Sequence, residues 1–237
     1  MGQTVSNSRG WAGKSVMSPG VTEYAARVAR WDPDARGRLQ HAAFALYDER
    51  GFENTTVAEI AERAGLTKRT FFRYFPDKRE VLFWGSKALE ELIVTEVGAA
   101  PESAAPLDAV AAALDATAAG FEERREDVIR RQRIIAANPE LQERELIKLA
   151  SLGAAVAEAL RHRGVDDPAA TLAAEAGIAI FRVAFERWVH PANQHTLQRL
   201  LRASLEDLRV VAATQSTAGT GSAASGRPRT RSRMPAS

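Results

Sequence analysis

Hydrophobic residues recur at helical spacing through most of residues 33–211, and no segment there alternates apolar and polar positions as a β-strand does. Glycine, proline and asparagine interrupt this pattern near residues 98–106, 138–139, 164–168 and 191–193. Four long apolar stripes are recognisable: Leu107 to Phe121, Leu149 to Leu160, Leu172 to Val183, and Leu197 to Val211. The pattern predicts an all-α protein of about nine helices.

The helix predicted over residues 168–190 is apolar on two faces. One face carries the stripe that begins at Leu172. The other carries large residues at helical spacing: Ile178, Phe181, Phe185 and Trp188. A helix of this kind needs two apolar partners, and a second subunit can supply one of them.

The helix predicted over residues 194–211 carries a leucine seam of similar type. If it pairs with the helix over 168–190, two chains together form a four-helix dimer interface. We predict that this interface contains Leu197, Leu201 and Leu208. The alternative, which the pattern leaves open, is that both helices belong to the core of a single chain.

Residues 56–75 predict two short helices joined by a tight turn. Thr56 followed by Glu59 is a capping box, in which each side chain bonds to a backbone amide at the start of the first helix. Gly65 permits the positive φ that ends this helix, and Thr67 can cap the next one. The motif has the layout of a DNA-reading helix-turn-helix.

The second helix of this motif has an apolar face and a cationic face. Phe71 and Phe75 are four residues apart and predict an inward face. The other faces carry the cations Lys68, Arg69 and Arg73, which can contact DNA. The alternative is that these cations form a solvated surface without a binding role. Residue 76 is predicted to open a further long helix.

The motif residues resemble the amino-terminal domain of TetR-type transcriptional regulators. The resemblance rests on Gly51-Phe52, Thr55-Thr56-Val57, Ile60-Ala61, Ala64-Gly65, Phe71-Phe72-Arg73-Tyr74-Phe75 and Lys78. It implies a homodimer that binds a palindromic operator and releases it when a small molecule enters the carboxy-terminal domain. In the family a tyrosine pair followed by His-Phe is common at the recognition helix. This chain has phenylalanine and arginine at positions 72 and 73, so the hydroxyl contacts to phosphate made by relatives are in doubt there, although Arg73 can make a charge-assisted contact.

These arguments divide the chain into four predicted parts. Residues 1–32 form a disordered basic arm, 33–93 a three-helix DNA-binding domain, 94–211 a larger effector-binding and dimerisation domain, and 212–237 a disordered basic tail. The predicted contacts with operator DNA are Thr56, Thr67, Lys68, Arg69, Thr70, Phe72, Arg73, Tyr74 and Lys78.

Segment 121–147 places five arginines within ten residues, beside several isoleucines. An anionic head with an apolar tail suits this composition. The segment also resembles the effector domain of TetR-type regulators that bind acyl-coenzyme A-like ligands, including mycofactocin-system regulators, through residues 131–135, 138–141 and Trp188. The predicted ligand-binding residues are Phe121, Arg131, Ile134, Phe181, Phe185 and Trp188. The alternative is an exposed charged helix with local ion pairs.

Charge is distributed unevenly along the chain. The net charge is +2, but residues 1–31 and 212–237 together contribute +7, which leaves about −5 for the rest. Residues 32–84 contain nine cations and nine anions, so a DNA-binding unit there must depend on where its cations are placed. The chain has no cysteine and no apolar run as long as a membrane span, which favours a cytoplasmic protein.

Catalytic and metal-binding patterns are not evident. The four histidines have no acidic or cysteine partners at metal-ligand spacing, and there is no glycine-rich phosphate loop or nucleophile elbow. We therefore predict no catalytic residue, metal or cofactor. Two functions remain: a ligand-responsive DNA-binding regulator, which we favour, and a helical small-molecule- or partner-binding protein whose helix-turn-helix is only structural.

Overall fold

The computed structural model describes residues 35–218, with side chains as far as residue 213. Nine helices and no strand occur in this range: α1 (Ala35–Arg50), α2 (Val57–Arg63), α3 (Lys68–Tyr74), α4 (Ser86–Ala99), α5 (Pro106–Glu122), α6 (Arg125–Ala136), α7 (Pro139–His162), α8 (Ala169–Val189) and α9 (Leu197–Ala218). The all-α prediction is confirmed for this part of the chain. None of these helices combines the length and the apolar character that crossing a bilayer requires.

Helices α1, α2 and α3 pack around a first apolar core. Its fully buried members include Leu39, Ile60 and Phe71, one from each helix. The turn between α2 and α3 places Gly65 at a φ of 66°, a value that glycine adopts without strain. The helix-turn-helix predicted from the sequence is therefore present.

The predicted capping box fixes the start of α2. The Glu59 amide donates to the Thr56 hydroxyl at 3.3 Å, and the Thr56 amide donates to the Glu59 carboxylate at 2.9 Å. The backbone hydrogen bond from Thr56 lowers the pKa of the Glu59 carboxyl. Thr67 caps α3 as predicted, because its hydroxyl accepts a hydrogen bond from the Thr70 amide at 3.1 Å.

The prediction of a long helix from residue 76 is wrong. Residues 76–85 form bends and turns, and α4 begins only at Ser86. The Asp77 carboxylate accepts hydrogen bonds from the backbone amides of Arg79 at 2.8 Å and Glu80 at 3.2 Å. This side-chain turn competes with helix formation and delays the start of α4.

Helices α4, α5, α7, α8 and α9 enclose a second apolar core, in which Leu160, Trp188 and Leu197 are fully buried. Along α5, Asp108, Asp115 and Glu122 are spaced seven residues apart. Arg209 and Arg202 of α9 pair with the two aspartates at 2.5 and 2.8 Å. Glu122 accepts a hydrogen bond of 2.6 Å from the Leu197 amide, so α9 is held against α5 in one register.

Helices α6 and α7 connect the two cores. Three of their apolar residues are buried in the first core: Ile134, Ile135 and Leu141. The Glu80 carboxylate, in the turns before α4, lies 2.7 Å from the Arg144 guanidinium and 3.3 Å from the Lys148 ammonium of α7. The first core is thus completed by residues far along the chain.

The prediction of a disordered tail from residue 212 is wrong for its first residues, because α9 continues to Ala218. No glycine or proline interrupts the chain between Val211 and Ala218, so nothing in the sequence ends the helix earlier. The basic arm predicted for 1–32 and the rest of the tail, 219–237, lie outside the described residues.

Candidate nucleic-acid interface and effector region

The exposed cations of α3 are Lys68, Arg69 and Arg73. Within residues 35–213, no carboxylate forms an ion pair with any of them. The neighbouring helices differ, because Arg50 pairs with Glu59 at 2.6 Å and Arg63 with Glu49 at 2.5 Å. The hydrogen bond from Arg63 lowers the pKa of the Glu49 carboxyl. Three exposed cations without an ion-pair partner among the described residues therefore lie within the seven residues of the predicted recognition helix.

A cationic and aromatic cluster lies beside the end of α3. The Arg36 guanidinium is 5.2 Å from the centre of the Tyr74 ring and 5.4 Å from that of Trp84. Arg73 lies 4.9 Å from the Tyr74 ring centre and donates a hydrogen bond of 3.0 Å to its hydroxyl. The Nε of Arg36 is buried without a hydrogen-bond partner among the described residues. Sequence reasoning missed Trp84, which carries no spacing signal.

The predicted threonine contacts have local partners. The Thr56 hydroxyl donates to Glu59 at 2.8 Å, and the hydroxyls of Thr67 and Thr70 lie 2.9 Å apart. These hydroxyls organise the starts of α2 and α3. Thr56 and Thr67 are exposed and Thr70 is half-buried, so their contact with DNA stays a prediction.

The Lys78 ammonium is bound within the chain. Its Nζ donates to the backbone carbonyls of Phe52 at 2.8 Å, Glu53 at 3.2 Å and Thr55 at 3.0 Å. Three acceptors occupy all three donors of an ammonium group. Lys78 thus holds the loop between α1 and α2, and its contact with a DNA phosphate stays a prediction.

Four of the six predicted ligand-binding residues form one aromatic cluster in the second core. The Phe121 ring centre lies 5.8 Å from that of Phe181, 5.9 Å from that of Phe185 and 6.2 Å from that of Trp188. Phe181 and Phe185 stack at 5.4 Å. Trp188 is fully buried, whereas Phe121 and Phe185 are partly exposed.

Two charged residues hold Trp188 in place. Its indole N–H donates to the Glu122 carboxylate at 2.9 Å. The Arg125 guanidinium lies 5.4 Å from the centre of the Trp188 ring and donates to the Trp188 carbonyl at 3.1 Å. Neither residue was predicted from the sequence. The available signals were the position of Glu122 next to Phe121 and the place of Arg125 among the five arginines of segment 121–147.

The other two predicted ligand-binding residues lie elsewhere, and the predictions for them are corrected. Ile134 is buried in the first core. The Arg131 guanidinium donates to the Leu82 carbonyl at 2.7 Å and pairs with Glu145 at 3.0 Å. Burial lowers the pKa of this guanidinium. Both residues join α6 to the first core because this part of α6 packs against α1 and the turns before α4.

The predictions for two of the three dimer residues are corrected, and the prediction for Leu208 stays open to test. Leu197 and Leu201 are buried within a single chain, because the register set by α5 turns them inward. Leu208 is partly buried against the same core. Large apolar side chains remain exposed on α8, where Leu172 is 65% and Val183 50% exposed, and also on α7 and near the end of α9.

His190 and His195 line an open surface cavity of about 460 Å³ at the turn between α8 and α9. The His190 Nδ1 accepts a hydrogen bond of 3.2 Å from the Ala192 amide. Across the described part of the chain, no three metal-ligating side chains come together. This cavity therefore shows no constellation for metal chemistry.

Two family models match successive parts of the chain. Residues 39–83 match the model described as bacterial regulatory proteins, tetR family. Residues 104–213 match the MftR C-terminal domain. The first match covers the helix-turn-helix, and the second covers the region from the end of the α4–α5 loop into α9.

Curated and solved relatives agree with these matches. The regulator TcmR of Streptomyces glaucescens is 36% identical over 81 residues, which are 34% of this chain and 36% of TcmR, so the chain matches about a third of that protein's length. A putative TetR-family regulator from Mesorhizobium loti superposes with a TM-score of 0.50 at 22% identity, covering 78% of this chain and 98% of that one. A putative TetR-family regulator from Syntrophomonas wolfei superposes with a TM-score of 0.51 at 17% identity, covering 76% of this chain and 95% of that one. At these identities the structures support the fold alone. The two family models together match more than half of the chain, and they show that it belongs to the TetR family of bacterial regulatory proteins.

Proposed function

We propose that the protein is a ligand-responsive DNA-binding regulator that acts in the cytoplasm as a homodimer. It binds a palindromic operator through α3 and is released when a hydrophobic effector binds among α5, α6 and α8. The observation that carries the proposal is the set of exposed cations on α3 without carboxylate partners. The proposal assigns the protein no catalytic residue and no cofactor.

The distribution of charge favours DNA binding over a purely structural helix-turn-helix. In a structural motif, we expect exposed cations to pair with nearby acids, as Arg50 and Arg63 do. On α3, Arg69 and Arg73 have no such partner among the described residues. Phosphate groups would supply the missing negative charge, and release of counterions from DNA would make the affinity depend steeply on salt.

The test is binding to a labelled operator duplex selected from a random pool. We expect Arg69→Ala and Arg73→Ala each to weaken binding by about 1–3 kcal/mol. If Arg73 contacts phosphate, its loss weakens binding to all DNA sequences alike. It also reduces the salt dependence of binding by the equivalent of about one phosphate contact.

The matched control is Arg161→Ala. Arg161 lies at the far end of α7 and pairs with Glu158 and Asp167 at 2.7 Å in each case, so its loss should leave operator binding unchanged. If the α3 variants bind as tightly as the unmodified protein, α3 is not the recognition surface.

The second part of the proposal concerns the effector, an apolar molecule with an anionic head such as an acyl-coenzyme A thioester. The resemblance of the carboxy-terminal domain to regulators of such ligands supports this class. The partly exposed rings of Phe121 and Phe185 offer an apolar surface, and Arg125 lies at the edge of the same cluster. The buried Nε of Arg124 has no hydrogen-bond partner in the described part of the chain. Arg124 and Arg125 replace Arg131 as candidate head-group residues.

Titration of the protein–operator complex tests the effector class. Palmitoyl-coenzyme A, free coenzyme A, palmitate and a neutral hydrophobic drug would be compared. We expect the thioester to make the protein release DNA. If the thioester binds the DNA-free state about 3 kcal/mol more tightly than the DNA-bound state, operator affinity falls roughly a hundredfold. Phe185→Ala should raise the thioester concentration needed by roughly tenfold, whereas Ile147→Ala on the outer side of α7 should not. Release by the neutral drug alone would contradict the anionic head group.

A dimer is the third part of the proposal. Leu172, Ala176, Ala179 and Val183 follow one another at helical spacing on the outward side of α8. An apolar stripe exposed in a single chain indicates a protein contact. Two-fold pairing of α8 and α9 would cover it and would place two copies of α3 against the two half-sites of a palindrome.

A further inference from the structure

The recognition helix presents one large apolar side chain to solvent. Phe72 is 49% exposed, and the only other exposed large hydrophobic residue between residues 35 and 100 is Trp84, at 37%. The remaining large apolar residues of the first core are buried or half-buried. The exposed part of this ring is available for contact with a molecule outside the chain.

The geometry around Phe72 holds its ring in a defined place. Phe71, which is fully buried, contacts it edge-on with ring centres 5.6 Å apart and planes at 86°. The Lys68 ammonium lies 5.9 Å from the centre of the Phe72 ring on the preceding turn. Thr67 caps the helix just before this turn, which fixes the backbone that carries both residues.

The chemistry of the ring limits what it can recognise in DNA. Phenylalanine has no hydrogen-bonding atom, so it cannot read the donors and acceptors that base edges display. The C5-methyl group of thymine is the apolar feature of the major groove, and phenylalanine is among the side chains that contact it. The neighbouring Lys68 can meet a backbone phosphate without occupying the same space.

We propose that Phe72 reads a thymine in each operator half-site through the methyl group of that base, which makes it a specificity-determining residue. The inference rests on the proposed DNA-binding function. Arg69 precedes Phe72 by three residues, a rise of about 4.5 Å along a helix. Since base pairs are stacked roughly 3.4 Å apart, the thymine should lie one or two base pairs from a base that Arg69 contacts.

Deoxyuridine scanning tests the proposal, because deoxyuridine differs from thymidine only by the missing methyl group. Each thymine of the selected operator is replaced in turn, and affinities of the unmodified protein and of Phe72→Ala are compared. We expect one position per half-site at which deoxyuridine weakens the unmodified protein about fourfold, the change that corresponds to about 0.8 kcal/mol for one buried methyl group. Phe72→Ala should show no loss at that position.

Two further variants make the result specific. Phe72→Tyr keeps the ring, so this variant should remain sensitive to deoxyuridine. Trp84→Ala leaves Phe72 in place, so it should remain sensitive as well. Circular dichroism confirms that each variant is folded. If the protein binds its operator but Phe72→Ala retains the same loss at every thymine, or if no thymine matters, the inference is overturned and the DNA-binding function stands. If no duplex is bound specifically, both are overturned.

Discussion

At the scale of single residues, Gly177 marks a close approach of α8 to α5. A Cβ atom at this position would lie 2.3 Å from the Val110 Cγ1. Valine is branched at Cβ and has few rotamers in a helix, so it cannot turn away at low cost. We therefore expect Gly177→Ala to lower the free energy of unfolding by about 1–3 kcal/mol, measured by urea denaturation.

Gly98→Ala is the matched control for this substitution. Gly98 also lies within a helix, and a Cβ atom there would have no neighbour within 4 Å. Alanine should raise helix stability at this site by up to about 1 kcal/mol. Equal stability of Gly177→Ala and the unmodified protein would contradict the close packing of α5 and α8.

Local spacing predicted residues whose partners are near in the sequence. Thr56 and Glu59 are three residues apart, and their reciprocal hydrogen bonds could be read from the chain alone. Lys78 and Arg131 could not be assigned in the same way. The acceptors of Lys78 are carbonyl groups at least 23 residues away, and Arg131 donates to a carbonyl group 49 residues away besides pairing with Glu145. Every residue type has a carbonyl group. The two cations could be located in the sequence, but their hydrogen-bond acceptors could not.

At the scale of helices, periodicity predicted which residues share a face but not which face is inside. Both apolar faces of α8 were recognised in the sequence. The face with Phe181 and Trp188 is buried in the core, and the face with Leu172 and Val183 is open. The choice depends on how α5 and α9 pack around α8, and that packing is a property of the tertiary structure.

The leucine seam of α9 illustrates the same limit. Its sequence fits a subunit interface and a monomer core equally well, because both are apolar. The acidic residues of α5 decide between them, since Asp115 and Glu122 hold the start of α9 in place. Their seven-residue spacing was visible in the sequence, but nothing in the sequence identified α9 as the partner.

At the scale of the whole molecule, the exposed apolar face of α8 predicts where two chains meet in the proposed dimer. Val183→Asp would place a charge in the proposed interface, where it would be buried without a partner and would cost several kcal/mol. Val183 is 50% exposed in the single chain, so the variant should fold. We expect sedimentation analysis at micromolar concentration to show a monomer with unchanged helix content and weakened operator binding.

Ile147→Asp serves as the control, because Ile147 on α7 is 51% exposed and lies outside the proposed interface. This variant should remain dimeric. A stable monomer formed by the unmodified protein, or a Val183→Asp variant that stays dimeric, would show that another surface joins the subunits.

The completion of the first core by α6 and α7 has a consequence for protein synthesis. Ile134, Ile135 and Leu141 leave the ribosome well after the helix-turn-helix, and 58 residues separate Phe83 from Leu141. At roughly 5–20 residues per second, the nascent chain needs about 3–12 s to add them. During this interval the apolar surface of the emerging DNA-binding unit is uncovered, which invites chaperone binding or association with other nascent chains. A regulator built in this way cannot present a finished recognition helix to the chromosome until much of its effector-binding half has been made.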